Sequence, residues 1–259
     1  MIFTMIKINK HIKKILYPVI SLSFFYIIWE ISAYYIGAEI ILPKPITVFN
    51  SLIQIILKQD FKIKLLSTLI RGLWGFGISF ILGLTVGILA GIFKTFRMLI
   101  SPIISIVRST PVISVILLAI IWFKVDNVPI FVAFLMAFPI ICGNIIEGIT
   151  TTNSKLLIMA KLYNVPLYKQ VLNIYIPSVF PFIIAGSSMS LGVIWKVIVA
   201  AEVLSQPKFG VGTSLNDAKA YLITEEVFAW TIIAILLSIV TENVFSLVSK
   251  KVINGKFKY

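Results

Sequence analysis

Five ionisable side chains stand inside or at the margins of long apolar runs: Glu30, Arg108, Glu147, Lys196 and Glu202. A charge facing hydrocarbon is costly, so such a residue either meets a polar solute, an ion or a partner, or reaches its head to the membrane surface. Glu30, Lys196 and Glu202 fall toward the ends of their runs on one side of the expected membrane, and Arg108 and Glu147 toward the other. Snorkelling suits the long Lys196 better than the short Glu202, which adjoins a polar loop. Spacings that build a catalytic or nucleotide site are missing from the sequence: there is no G-x-x-x-x-G-K-[ST], no H-E-x-x-H and no Cys/His cluster. His11 is alone in a basic tail, and GVGTSL at 210–215 resembles a phosphate loop only superficially because it lacks the lysine. The chain is therefore not expected to hydrolyse a nucleotide by the usual route. Its single cysteine, Cys142, lies in an apolar run and reads as a small buried hydrophobe, with no intramolecular disulfide possible.

The elements that must position these residues are membrane helices. Of the 259 residues, 59% are hydrophobic and only 13% charged, against roughly 25% charged in soluble domains, and mean hydropathy is +1.04. The net charge of +13 comes from cations at the ends of apolar runs, without interleaved stacking aromatics, so it reads as a topology signal and not as a nucleic-acid surface. Since a helix needs roughly 20 apolar residues to cross a core about 30 Å thick, six spans are expected, about 15–36, 70–93, 101–123, 128–148, 178–201 and 227–249, within a single membrane domain over 1–259. The N-terminal run has a basic flank but is too long for a cleaved leader, and reads as a retained signal-anchor.

Lys7, Lys10, Lys13 and Lys14, then Lys94 and Arg97, then Lys155, Lys161 and Lys169, then Lys250, Lys251, Lys256 and Lys258 all fall on one side of six spans. The positive-inside rule makes that side, with both termini, the cytoplasm. Lys44, Lys58, Lys62, Lys64 and Arg71 are left between spans 1 and 2, where ILPKPITVFNSLIQIILKQDF suggests a turn and an interfacial helix. The polar stretch between spans 5 and 6 should be an outward loop with a short helix from about Thr213 to Leu222.

Gly83, Gly87 and Gly91 share one face of span 2, a surface for close packing against a helix of this chain or of a second copy. Pro111 and Pro139 either occupy first turns or bend helices that line a path. Residues 151–176 are too charged to cross, yet Ile158, Leu162 and Val165, then Val171, Leu172 and Ile176, form apolar stripes at helical spacing. Asn164 tolerates a left-handed cap, and Val165 precedes Pro166, so two short helices should meet there at a corner.

This segment resembles the cytoplasmic loop of ABC importer permeases, of pattern EAA-x3-G-x9-I-x-L-P. Here the frame reads Ile158-Met159-Ala160, then Asn164, then Ile174-Tyr175-Ile176-Pro177, with the Glu and Gly replaced and the spacing to Pro177 kept. ILPKPITVF at 41–49, RSTPVISVILLAIIWF at 108–123, LGVIWKVIVAAEV at 191–203 and FGVG at 209–212 extend the resemblance to the nitrate, sulfonate and taurine type over nearly the whole chain.

The resemblance implies an all-α, polytopic type I importer permease in a bacterial inner membrane, working as a homodimer. It further implies two ABC ATPase subunits that use ATP and Mg, an extracytoplasmic binding protein, and no cofactor on this chain. Ala160, Lys161, Asn164, Val165, Pro166, Leu167, Tyr168, Lys169 and Pro177 would form the ATPase-coupling loop. Arg108, Trp122, Trp195, Lys196 and Glu202 are the candidate substrate path, with Lys196 and Glu202 near its outer mouth. A small polar or anionic cargo such as a sulfonate, taurine or nitrate is expected. Thiamine-precursor pyrimidines and riboflavin stay open as cargo, as does an ion-coupled secondary transporter as a mechanism.

Overall fold

A computed structural model describes the backbone of residues 10–256 and the side chains of residues 16–251. The basic residues before Leu16 and after Lys251, and the His11 side chain, lie outside those limits. The described residues pack into two compact units, one of residues 10–58 and 217–229, the other of residues 59–216 and 230–256.

In the first unit, α1 (Lys10–Ile36) is followed by α2 (Pro45–Leu57). Proline at the first position of α2 costs no hydrogen bond there, and the helix buries Pro45, Val48, Ser51 and Ile55 along one face. Trp29 stacks on Phe228 at 5.4 Å and donates its indole N–H to Pro43 O at 3.0 Å.

The second unit carries α3 (Phe61–Ile92), α4 (Lys94–Ser109), α5 (Val112–Trp122), α6 (Val128–Thr150), α7 (Ser154–Leu162), α8 (Leu167–Gln170), a π-helical turn at Val171–Tyr175 and α9 (Ile176–Ser205). The helices α10 (Val211–Ala220) and α11 (Thr224–Lys256) contribute to both units. The glycine face of α3 meets this chain's own α6. A Cβ added at Gly83, Gly87 or Gly91 would lie 2.9, 2.9 and 2.5 Å from Ile141, Ile145 and Ile149 respectively, and one at Gly75 would lie 2.7 Å from Ala133. Both partners advance four residues at a time, so α3 and α6 run parallel, branched side chains of one filling the missing side chains of the other. On the other side of α6, Asn144 faces Gly186 and Phe182 faces Gly148, which sets α9 antiparallel.

Five helices among the described residues are long and apolar enough to cross a membrane. The expected third span is not one rod: α4 and α5 meet at a bend of 99°. Thr110 is extended (φ −70°, ψ 127°), as a residue before proline is driven to be, and Pro111 has no N–H with which to continue the helix. Pro139, by contrast, sits buried inside an unbroken α6. The second span also begins earlier than expected, at Phe61 in place of residue 70, which puts Arg71 well inside a helix and not at its margin with a loop. Lys62 and Lys64 had masked this first stretch as polar, whereas Lys64 pairs with Asp60 at 2.7 Å and lies over the Trp230 ring. The short outward helix runs Val211–Ala220, two residues ahead of its expected place.

Candidate functional site

Arginine occurs three times in the chain against twenty lysines, and each arginine lies in α3 or α4. The fork of the guanidinium binds several acceptors at once, which a lysine ammonium does less well. Arg71 uses both of its arms: Nη1 donates to Glu202 Oε1 at 2.7 Å and Phe209 O at 2.8 Å, and Nη2 to Asp126 Oδ1 at 2.6 Å. Glu202 is wholly buried. Its carboxylate also receives the Gly212 N–H at 2.9 Å and has the Thr68 hydroxyl at 2.9 and 3.0 Å from its two oxygens. Thr68 Oγ1 in turn accepts the Val211 N–H at 2.9 Å.

The turn at 209–212 can wrap the acid only because it lacks side chains. A Cβ at Gly210 would sit 2.6 Å from Glu202 Oε2, and one at Gly212 would run into Val199 O. The superficial phosphate loop of the sequence therefore does hold an anion, the chain's own carboxylate. Glu202, expected near the mouth of a path, is enclosed by α3, α9 and this turn.

Arg97 is likewise committed. It donates to Ala90 O at 2.8 Å and Gly91 O at 2.5 Å, meeting carbonyls that the end of α3 leaves without helical partners. Arg108 differs: it is exposed, and Nη2 donates to Pro139 O at 2.8 Å. Pro139 lies halfway along α6, so Arg108 stands at mid-depth of that helix, and not near its inner end as the sequence suggested.

The other path candidates are not gathered around it. Trp195 is buried, its ring tip against Gly72 near the level where α6 begins. Lys196 is exposed and borders a cavity of about 290 Å³ with Trp195, Val199, Thr231 and Ser238. Trp122 is exposed at the end of α5. Two residues escaped the sequence reading: Arg71, taken for a loop cation, and Glu242 inside α11, which accepts from Ser238 Oγ at 2.8 Å and faces Gly192. A charge in the middle of an apolar run was the signal for Glu242.

At the opposite end of the bundle, α7 closes with Asn164 at φ +48°. Val165 N–H reaches Ala160 O at 2.9 Å and Asn164 N–H reaches Lys161 O at 3.1 Å, the paired bonds of a Schellman cap with asparagine in the left-handed position. The corner expected at Asn164 is there, and α8 starts just past Pro166. Beyond α8 the π turn leads into α9 without a loop, Ile176 N–H reaching back to Val171 O. Pro177 removes the N–H that an α-helical register would need there, and a wider turn accommodates that loss.

Residues 83–254 match the family described as binding-protein-dependent transport system inner membrane component. The chain belongs to this family. It is thus the permease component of a binding-protein-dependent ABC importer, a multi-pass inner membrane protein. The permease is 29% identical over 249 residues, 95% of its own length and 88% of the other, to SsuC of Bacillus subtilis (strain 168), a protein named for aliphatic sulfonates transport. It is 24% identical to the taurine transport system permease protein TauC of Escherichia coli (strain K12), over 83% of this chain and 80% of that one. Among solved structures, a chain of the MetNI methionine ABC transporter in an inward-facing conformation shares the fold, with TM-score 0.57 at 15% identity over 71% of the permease and 94% of that chain. An ion-coupled secondary transporter is not favoured by these relatives.

Proposed function

We propose that the permease acts as a homodimer that receives a small anionic solute from an extracytoplasmic binding protein and is driven by ABC ATPase subunits docked at the α7–α8 corner. ATP and Mg belong to those subunits in this reading. The observation that carries it is mechanical: α8 presents exposed Leu167 and Tyr168, with Lys169 beside them, and runs through the π turn into the spanning helix α9. An apolar and aromatic anchor flanked by positive charge suits a groove on a partner, and a helix without a loop behind it transmits a push. Ala160 and Asn164 hold the corner, while Lys161, Val165, Pro166 and Pro177 fix the approach of α8.

Anionic cargo is supported by relatives named for sulfonates and taurine. Arg108, Trp122, Trp195 and Lys196 stay as path candidates, with Glu202 positioning the helices around them. Val165→Asp with Tyr168→Asp should abolish co-purification of the ATPase while the detergent-purified permease keeps its melting temperature. An intact complex would sink the docking claim.

A further inference from the structure

The helix α4 carries Arg97, Ser101, Ser105 and Arg108 at intervals of four, four and three residues, which puts them on one face. Between that face and α6 lies a cavity of about 210 Å³, bounded on the α6 side by Gly143 and Ile146. Gly143 is what leaves room for the arginine: a Cβ there would overlap Arg108 Nη2. The neighbouring hydroxyls of Ser109 and Thr110 turn back to Ile106 O, whereas Ser101 and Ser105 line the cavity.

Arg108 contrasts with the other two arginines. Arg71 faces two carboxylates and Arg97 caps a helix end, but Arg108 forms none of the ion pairs found among the described residues. A guanidinium has five N–H donors, and the bond to Pro139 O orients the fork while leaving most of them available. An exposed cation at the mid-depth of α6 is too costly to face lipid, so it faces a polar path.

We propose that Arg108, Ser105 and Ser101 form an oxyanion station on the translocation path, taking the sulfonate or carboxylate head of a small solute. This deepens the anionic-cargo reading above and rests on it. The guanidinium supplies the fork that matches two oxygens of such a head, and the two serine hydroxyls, successive turns toward the basic end of α4, supply further donors along the way out. A volume below the roughly 300 Å³ at which drug-sized sites begin fits a compact head with a short tail.

The test uses the complete importer, permease with its ATPase and binding protein, in proteoliposomes, and radiolabelled ethanesulfonate as the probe. Arg108→Gln should lower uptake by about tenfold or more, the expected loss for a charge-assisted hydrogen bond, and Arg108→Lys by less, with ATPase co-purification unchanged in both. Wild-type uptake retained in Arg108→Gln would overturn the station. A second measurement does not depend on cargo: Ser105→Cys in a Cys142→Ala background is treated with sulfonatoethyl and trimethylammonioethyl methanethiosulfonates. The anionic reagent should react faster, and Arg108→Gln should erase that preference. A thiol inert to both reagents, or one without preference, would also overturn it. If the wild-type complex fails to transport ethanesulfonate while the reagent preference stands, the cargo reading fails and the anion station survives.

Discussion

At the scale of single residues, the cluster around Glu202 makes a sharp stability claim. Removing one partner of a buried ion pair strands the other, at a cost of about 3 to 5 kcal/mol. Glu202→Ala should therefore lower the melting temperature of the purified permease strongly, and adding Arg71→Met should cost less than the two single effects together. Single variants that melt with the wild type would refute the clamp. Asp126 is different because its side chain is 70% exposed. Asp126→Asn should cost no more than about 1 kcal/mol, as exposed pairs do. A third residue stores strain without any visible use: Leu222 has φ +58°, where a branched side chain is disfavoured. Leu222 N–H bonds Lys219 O and Ile223 N–H bonds Ala218 O in the same cap geometry as at Asn164. Leu222→Gly should stabilise by about 1 kcal/mol, read as a raised melting temperature.

Elements bring the glycine face of α3 into view. Gly87 receives Ile145 so closely that Gly87→Leu must push α3 and α6 apart, and pairing it with Ile145→Ala should recover part of the lost stability. No recovery would mean that the two residues do not share one contact. That face was legible in the sequence because glycines four apart have few other uses in a membrane helix. Its partner was not legible, since isoleucines at the same interval in α6 look like any lipid-facing row. The corner at Asn164 was legible for a local reason, an asparagine ahead of Val-Pro. The Glu202 cluster was not, because it joins residues from α3, the α5–α6 loop, α9 and the following turn, and because Lys62 and Lys64 hid the start of α3. Arg108 was recognised by type but misplaced by half a helix, an error that span counting makes when a proline breaks the span.

For the molecule as a whole, the parallel run of α3 and α6 decides the number of crossings. Gly91 is level with Ile149, and α6 begins 21 residues of rise behind that point, roughly 32 Å at 1.5 Å per residue. The chain must return that distance between Ile92 and Val128, so the bent pair α4–α5 crosses the membrane. Cysteines at exposed Lys94 and Lys124 should then be labelled by an impermeant maleimide from opposite sides, and labelling of both from one side would overturn this topology. The described cations Lys94, Arg97, Lys155, Lys161 and Lys169 lie at the end of the bundle where α3 and α6 finish and α9 begins, the end that the sequence reading assigns to the cytoplasm.

The four-residue register of α3 on α6 also governs where this protein can change length. One residue inserted or deleted between Gly75 and Gly91, or between Ala133 and Ile149, rotates everything beyond it by about 100°, taking the glycine face out of the seam and bringing bulkier neighbours such as Leu82 or Leu84 into it. Such a change cannot be absorbed locally. Insertions and deletions should therefore be tolerated at the joints, chiefly the connection after Trp122 and the stretch that follows α10, and not within either helix.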